Sequence, residues 1–379
     1  MTIYFDNAAT SWPKPEKVYR AMDHFMREVG ANPGRSGHRQ SIEAGRIIYL
    51  VRKSLAEMLG VCSEDRVILA LNATDGLNMA IKGTVEPGDH IITSSMEHNA
   101  VMRPLRGLQD QKKIELTIVP CSEQGYLDPD DIKKAVQRNT KTIILNHASN
   151  VTGNILPVKE VGEIAKNHHL RLIVDGAQTA GVLPIDIDDL GVDIYAFTGH
   201  KGLLGPQGTG GLCLGNQVSL KPWREGGTGS RSESDRQPDF LPDSLEAGTP
   251  NTVGAAGLKA ALDFLLHTGI DQVRDKELAL TQRLWEGLDT IKRVKMYGPA
   301  VRKDAVAVVS FVVNGQDPAV TALTLEEKGG IACRTGLHCA PHAHKTIGSH
   351  PTGTIRFSLG IFNTPEEVDA AIKVVEMVS

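Results

Sequence analysis

Residues 170–205 read LRLIVDGAQTAGVLPIDIDDLGVDIYAFTGHKGLLG, and this segment is the strongest indication of the fold class. It contains two strand-like runs, LRLIVDGA at 170–177 and DIYAFTG at 193–199, each apolar on both faces. Strands of that kind are buried on both sides, as in a mostly parallel sheet covered by helices. Each run ends in glycine and polar residues, so the sequence predicts turns at the carboxyl ends of both strands.

The same alternation extends from about residue 60 to residue 215. Further strand-like runs lie at 66–71, 90–95, 115–121, 142–149 and 208–215, and helical stretches at Asp75–Val85, Pro129–Val136 and Val158–His169. Strands that alternate with helices predict an α/β fold with a mostly parallel seven-stranded sheet. Only a Gly-rich loop separates the last two strands, which allows an antiparallel pair there.

The pattern changes after residue 215, where residues 216–252 have the composition of a long surface loop. Beyond it we predict helices at Thr252–His267, Gln272–Ile291, Pro318–Lys328 and Pro365–Val378 (N-cap Thr364), and strands at Val306–Val313 and Thr354–Leu359. The sequence therefore predicts a large domain over residues 1–250 and a smaller α+β domain over 251–379. We expect the N-terminal segment 1–30 to pack on the smaller domain.

Composition excludes several classes of function. The 379 residues carry 41 Lys and Arg against 45 Asp and Glu, and 4% are aromatic, so nucleic-acid binding is not expected. The longest apolar run, Val306–Val313, is far shorter than the roughly 20 residues that span a bilayer. The N-terminal MTIYFDNAAT has neither the charge nor the apolar core of a signal peptide. Because the five cysteines form no disulfide framework, we expect a cytoplasmic enzyme with no membrane partner.

Polar side chains follow strand after strand in the predicted sheet. Thr74, Asp75 and Gly76 open a helix after the strand at 66–71 and would present backbone N–H groups to an anion, although a plain helix N-cap is the commoner interpretation. Later strands are followed by His98, Asn150, Gln178 and His200. Ligands bind outside the carboxyl ends of parallel strands, so we expect these side chains to meet at one edge of the sheet.

Asp175 and Lys201 each lie at the end of an apolar strand, 26 residues apart. An aspartate there can keep a proton on a heterocyclic nitrogen, and a lysine opposite can bind an aldehyde covalently. Pyridoxal 5′-phosphate requires both. The alternative is a salt bridge or a pair of solvated charges.

The stretch RTGLHCAPHAH at 334–344 contains Cys339 between polar and cationic residues. Arg334 and His338 would lower the pKa of the Cys339 thiol and make it a nucleophile. Metal ligation by Cys339 and nearby histidines is an alternative, but the ligand spacing of a metal site is missing; an inert buried thiol is another. We interpret Cys333 as the interior of a strand and not as a catalytic group.

Arg356 lies among apolar residues in a C-terminal strand, TIRFSL. A buried arginine needs an anionic partner. That partner is either the carboxylate of a substrate, bound bidentately, or an internal Asp or Glu.

At these residues the chain resembles the fold-type I pyridoxal-phosphate enzymes of the class V aminotransferase group. Within that group it is similar to the group II cysteine desulfurases, which include selenocysteine lyase-like members. The resemblance covers nearly the whole chain, with the motifs YFDNAAT (4–10), SMEHNA (95–100), HASNVTG (147–153), VDGAQ (174–178), TGHK (198–201), EAGTPN (246–251), RTGLHC (334–339) and RFSLGIFNTPEEVD (356–369).

The resemblance implies that the large domain binds pyridoxal 5′-phosphate and the small domain carries the catalytic cysteine. Lys201 would form the Schiff base and Asp175 would pair with the pyridinium nitrogen. Gln178 would hydrogen-bond the phenolic oxygen of the cofactor, and His98 would stack on its ring. The phosphate ligands would be Thr74, Thr198, His200 and, across a homodimer interface, Thr249.

The resemblance also implies a reaction: L-cysteine is converted to L-alanine, and Cys339 becomes a persulfide. Asn150 would lie beside the ring and the substrate, Arg356 would bind the substrate carboxylate, and Arg334 would line the pocket. An acceptor protein or a small thiol would then take the sulfur, for example toward iron–sulfur cluster assembly.

This chain departs from common family sequences at Ala73, at Leu337 and over PHAHKTIGSHPTGT (341–354). None of these positions belongs to the cofactor residues named above, but they leave the substrate open. Selenocysteine lyase, another β-lyase or an aminotransferase on the same scaffold are the alternatives. A non-catalytic partner-binding protein is a third hypothesis, against which the Asp175 and Lys201 pair argues.

Overall fold

The computed structural model describes residues 2–34, 36–300 and 302–379. Its helices are α1 (Glu16–His24), α2 (Arg39–Leu59), α3 (Ala73–Thr84), α4 (Asn99–Asp110), α5 (Pro129–Lys134), α6 (Val158–Asn167), α7 (Thr252–Thr268), α8 (Ile270–Asp289), α9 (Pro318–Gly329), α10 (Pro341–Thr346) and α11 (Pro365–Val378). Within these described ranges, no helix is long and apolar enough to cross a membrane.

In the described part of the chain, the strands form three sheets. They are β1 (Ile3–Tyr4), β2 (Val67–Ala70), β3 (Asp89–Ser94), β4 (Ile114–Val119), β5 (Thr140–Asn146), β6 (Arg171–Asp175), β7 (Ile194–Thr198), β8 (Gly210–Leu214), β9 (Val294–Tyr297), β10 (Val308–Val313), β11 (Ile331–Ala332), β12 (Arg334–Gly336) and β13 (Thr354–Ser358).

The central sheet has seven strands in the order β2-β8-β7-β6-β5-β3-β4. Strands β7, β6, β5, β3 and β4 are parallel, whereas β8 is antiparallel to both of its neighbours. The mostly parallel seven-stranded sheet and its antiparallel pair are therefore confirmed. Because β2 runs in the same direction as β7, the carboxyl ends of β2, β3, β5, β6 and β7 lie at one edge.

Alternate residues of β6 and β7 enter different apolar clusters, which explains why their sequences are apolar throughout. Leu172 and Val174 belong to a cluster on one face of the sheet, whereas Ile173 belongs to a cluster on the other face. Burial of each such side chain contributes about 1.5–3 kcal/mol. The sheet is thus the centre of the core on both faces.

The C-terminal part contains a second, antiparallel sheet in the order β12-β13-β10-β9, whose strands pack with α8, α9 and α11 in a separate apolar cluster. The N-cap Thr364 is confirmed, since it forms a capping box with Glu367. The N-terminal strand β1 pairs with β11. The division into domains at residue 250 stays a prediction.

Several elements were not predicted from the sequence, among them α1, α2, α4 and α10. Helices α1 and α2 lie before the βα repeats and pack against α7. Cys333 lies between β11 and β12 and not inside a strand, so that detail of the prediction is wrong. Helix α8 begins at Ile270, earlier than predicted, because Gly269 alone separates it from α7.

Glycines of β8 and a glycine of α3 allow this helix to pack directly on the strand backbone. A Cβ built on Gly210 would lie 2.5 Å from Cα of Asn72, the N-cap of α3. A Cβ on Gly76 would lie 2.8 Å from the oxygen of Gly211. The amino end of α3 therefore reaches the carboxyl edge of the sheet only because these side chains are absent.

We expect Gly210→Ala to lower the free energy of unfolding by roughly 1–3 kcal/mol, because the added methyl group overlaps Asn72. Urea denaturation measures this change. Gly226→Ala is the matched control, since its Cβ would lie 3.5 Å from Cβ of Ala247, an ordinary contact. Equal stability of the two variants would contradict the packing argument.

Candidate functional site

A cavity of about 220 Å³ lies at the carboxyl edge of the central sheet. It brings together eight residues that the sequence predicted for one site: Thr74, His98, Asn150, Asp175, Gln178, Thr198, His200 and Lys201. Further lining comes from Asn72, Ala73, Ala100, Asn146, Ala148 and Ala177. The strand ends thus converge as the parallel arrangement requires.

Asp175 and Lys201 both line the cavity, but among the described residues they form no ion pair with each other. Burial raises the pKa of Asp175, while its hydrogen bond from the backbone N–H of Ala177 (3.0 Å) and the charge of Lys201 oppose the rise. Burial lowers the pKa of Lys201 to about 8, against the opposing effect of Asp175. The site therefore holds a carboxylate in need of a cationic partner and an amine that loses its proton readily.

The amino end of α3 offers an anion site beside this pair. Asn72 caps the helix by accepting a hydrogen bond from the N–H of Asp75 (2.9 Å), and Thr74 lines the cavity. Thr198 Oγ1 and His200 Nδ1 are buried and have no hydrogen-bond partner among the described residues. Unpartnered polar atoms around a helix amino end fit a phosphate group.

His98 is neutral and its tautomer is fixed. Its Nδ1 accepts a hydrogen bond from the N–H of Ala100 (3.0 Å) at the start of α4, so the ring proton lies on Nε2. Burial, together with the charges of Lys201 and Arg334, lowers the pKa of His98 to about 4. Gln178 Nε2 donates to the oxygen of Ala8 (3.1 Å), which links the cavity to the N-terminal segment.

Cys339 is exposed and lies in a tight turn, Leu337–Ala340, closed by a hydrogen bond from Ala340 N–H to the oxygen of Leu337 (2.8 Å). The backbone oxygen of Cys339 accepts from Asn99 N–H (2.8 Å), next to His98. Asn150 Nδ2 donates to the oxygen of His338 (2.7 Å). Two residues at the cavity edge therefore anchor the turn of Cys339.

Arg334 Nη2 donates to Sγ of Cys339 at 3.5 Å, as the expected cationic neighbour of the thiol. The expectation is wrong for His338, since burial and then the charge of Arg356 lower the pKa of its ring to about 2. His338 is thus neutral. Within the described ranges, no group of three His, Cys, Asp or Glu side chains is arranged to hold a metal ion.

Arg356 on β13 is 1% exposed and already has an internal anionic partner. Its Nη2 lies 2.8 Å from Oδ1 of Asp6, and its Nη1 donates to the oxygen of Asn150 (3.0 Å). Its Nε is buried without a partner among the described residues. Asp6 was not singled out from the sequence, although it lies in the YFDNAAT motif.

Thr249 does not line this cavity. It lies in a separate recess with Glu246, Gly248 and Asn251, on the other side of the amino end of α3. Its predicted role would need a second subunit and stays a prediction.

Glu97 is a second buried carboxyl group that sequence reasoning missed. It is 0% exposed, and Ser94 Oγ donates to its Oε1 at 2.6 Å. Burial raises the pKa of Glu97 to about 8, and the charge of nearby Asp175 adds to the rise, while hydrogen bonds oppose it. Glu97 and Asp175 are thus two carboxyl groups whose pKa values burial raises.

The model of the class-V aminotransferase family matches residues 3–371. The chain belongs to this family. A "Probable cysteine desulfurase" of Methanothermobacter thermautotrophicus is 33% identical, over 97% of this chain and 92% of the relative. Another of Pyrococcus abyssi is 34% identical, over 99% of this chain and 93% of the relative.

Solved structures of cysteine desulfurases have the same fold as this chain. The apo cysteine desulfurase of Thermococcus onnurineus NA1 superposes with a TM-score of 0.93 at 33% identity, covering 99% of this chain and 94% of that one. The cysteine desulfurase CsdA of Escherichia coli, in an S-sulfonic acid form, gives 0.90 at 29% identity, covering 100% of this chain and 94% of that one. The expected fold class is thereby confirmed.

We expect Glu97→Gln to gain stability relative to the wild type as the pH rises. The folded-state pKa of Glu97, about 8, lies above the ordinary value of 4.5, so the folded wild type must hold a proton that the unfolded chain has released. Between pH 5 and 8 the difference in the free energy of unfolding should grow by up to about 1.4 kcal/mol per pH unit, and level off above pH 8.

Urea denaturation at a series of pH values measures this difference. Glu123→Gln, at an exposed position, is the control. A pH-independent difference for Glu97→Gln would show that the buried carboxyl group is ionised in the folded state.

Proposed function

We propose that this chain is a pyridoxal 5′-phosphate-dependent cysteine desulfurase that converts L-cysteine to L-alanine and leaves a persulfide on Cys339. One observation carries the proposal: the turn of Cys339 is hydrogen-bonded to Asn99 and Asn150 at the cavity that contains Asp175 and Lys201. Cysteine desulfurases among the relatives support it.

Pyridoxal 5′-phosphate supplies, when bound, an aldehyde that condenses with amines and a ring that withdraws electrons from a substrate Cα. Thr198 Oγ1 and His200 Nδ1 would hold its phosphate, because neither atom has a partner among the described residues. Thr74 and the amino end of α3 would complete this phosphate site. Asp175 would pair with the ring nitrogen. The positive charge of that nitrogen would lower the pKa of Asp175, which burial alone raises. Gln178 and His98 would hold the ring.

Lys201 provides the amine of the site. Because its pKa is near 8, an appreciable fraction is neutral at pH 7 and able to attack an aldehyde. The same neutral amine can accept the α-proton of the substrate.

Arg356 would bind the substrate carboxylate through the N–H groups that Asp6 and Asn150 leave unused. An internal partner and a substrate can share one guanidinium, because Asp6 and the oxygen of Asn150 occupy only two of its five N–H donors. Arg334, next to Cys339, would line the same side of the pocket.

Cys339 is the nucleophile toward sulfur. Its thiolate attacks the thiol sulfur of the substrate, an S–S bond forms, and the substrate C–S bond breaks with its electron pair left on carbon. That carbon takes up a proton and becomes the methyl group of alanine. Arg334 lies beside the attacking sulfur, since its Nη2 contacts Sγ.

The sulfur then leaves to an acceptor. Because Cys339 is exposed, a protein thiol or a small thiol can reach the persulfide. We also propose a cytoplasmic homodimer in which Thr249 of one subunit contacts the phosphate bound by the other.

Cys339→Ala should lose sulfide release from L-cysteine by at least about 100-fold, because the sulfur has no acceptor on the enzyme. Mass spectrometry of wild-type protein after brief exposure to L-cysteine should find one added sulfur atom on the peptide with Cys339. Cys62→Ala, the other exposed cysteine, is the control and should keep full activity. Full activity of Cys339→Ala would favour a lyase or an aminotransferase.

The rate at which cofactor-free protein binds pyridoxal 5′-phosphate should rise with pH and level off above about pH 8–9. The rise follows the neutral fraction of Lys201, whose pKa lies near 8 and not at the ordinary 10.5. Absorbance measures the rate, and borohydride reduction followed by peptide mapping should place the cofactor on Lys201. Lys201→Ala is the control without attachment, and a rate that climbs steadily to pH 10 would contradict the lowered pKa.

A further inference from the structure

The segment PHAHKTIGSHPTGT (341–354) has no part in the mechanism proposed above, yet it packs against the turn of Cys339. His344 of this segment is 0% exposed and His338 of the turn is 2% exposed. Their ring centroids lie 5.4 Å apart with a tilt of 46°. Each ring has one nitrogen without a hydrogen-bond partner in the described part of the chain, namely Nδ1 of His338 and Nε2 of His344.

A chain of hydrogen bonds fixes the tautomer of His338. Ser310 Oγ donates to the oxygen of Val151 (2.5 Å), which can only accept. Thr354 Oγ1 therefore donates to Ser310 Oγ (3.2 Å), since the single proton of Ser310 is already used. His338 Nε2 lies 3.2 Å from Thr354 Oγ1 and must donate to it. The proton of His338 is thus on Nε2, and Nδ1 carries a free lone pair.

The ring of His344 lies against the ring of His338, but in the described part of the chain the two rings do not hydrogen-bond to each other. His344 Nδ1 lies 2.7 Å from Ser349 Oγ. When Ser349 donates this hydrogen bond, the proton of His344 lies on Nε2. Burial lowers the pKa of His344 to about 4 and that of His338 to about 2, so both rings are neutral.

The turn that these rings support is strained. His338 and Cys339 have φ of 46° and 59°, a left-handed backbone that residues with a Cβ adopt rarely. Asn150 and Asn99 hold the two backbone oxygens, and the His338 side chain reaches the opposite side, to Thr354 on β13. The turn is therefore held from both sides.

We propose that His338, fixed as the Nε2–H tautomer and backed by His344, is a positioning residue that holds Cys339 Sγ for attack on the substrate. The proposal rests on the desulfurase function proposed above. It adds a residue that controls the position of the nucleophile in the sulfur-transfer step. Segment 341–354, which departs from common family sequences, is then the support of the nucleophile.

The first experiment compares steady-state kinetics of cofactor-loaded wild type, His338→Ala and His338→Gln. His338→Ala should lower kcat roughly tenfold or more, with the KM for L-cysteine changed less than about twofold, because Arg356 and Lys201 are untouched. The amide nitrogen of glutamine can replace the Nε2 donor, so His338→Gln should recover most of kcat. The absorbance of the bound cofactor should be the same in all three.

Thr354→Val and Thr354→Ser form a matched pair that tests the same hydrogen bond without changing His338. The valine variant lacks the acceptor and should lower kcat, whereas the serine variant keeps it and should not. This pair decides the question if His338→Ala does not fold.

A second readout does not depend on turnover. The readout is the rate at which iodoacetamide alkylates Cys339 in cofactor-free protein, relative to exposed Cys62 in the same sample. This relative rate should differ from the wild-type value in His338→Ala and Thr354→Val. It should equal the wild-type value in His338→Gln and Thr354→Ser. The ring ¹⁵N shifts of His338 in the wild type should report a proton on Nε2.

Any one of three results would overturn the proposal. The first is a wild-type kcat and alkylation rate in both His338→Ala and Thr354→Val. The second is a His338→Gln variant as impaired as a folded His338→Ala variant, and the third is a His338 proton on Nδ1. Failure of the proposed function looks different. Wild-type protein would then form no persulfide on Cys339, while the alkylation rates and ring shifts would still test the positioning role.

Discussion

Two hydrogen bonds of Asn150 set the position of the reactive groups relative to one another. The backbone oxygen of Asn150 accepts from Arg356 on β13, and its side chain donates to the turn of Cys339. Both bonds are buried, so breaking either leaves a polar group without water to replace its partner. A short segment after β5 thus joins the central sheet to the arginine and the thiol of the C-terminal part.

The neutral histidines and the cationic side chains have different roles in the site. Lys201, Arg334 and Arg356 provide positive charge around the cavity, and each lowers the pKa of a neighbouring histidine. His98 and His338 consequently act as directed donors and acceptors and carry no charge. Such an arrangement suits ligands that bear a phosphate or a carboxylate, because a further cation would be repelled.

Much of the site could be predicted from the sequence, because parallel strands bring their carboxyl ends together. Asp175 and Lys201 were found for that reason, as was the gathering of His98, Asn150 and His200. The partner of Arg356 could not be found, since Asp6 lies 350 positions away and no local pattern connects them. His338 was misjudged because its burial depends on segment 341–354, whose helix α10 has only six residues and a weak sequence signal.

The order of the cavity residues along the chain has a consequence for synthesis. The whole lining of the cavity comes from residues 72–201, whereas Arg334, Cys339 and Arg356 lie in the last fifty positions. A ribosome releases the amino-terminal part first, and compact units fold as they emerge. Thr74, Thr198 and His200, which are suited to hold a phosphate, are therefore synthesised well before the reactive sulfur of Cys339. A chain cut short near residue 330 would keep the lining residues of the cavity and lack the nucleophile.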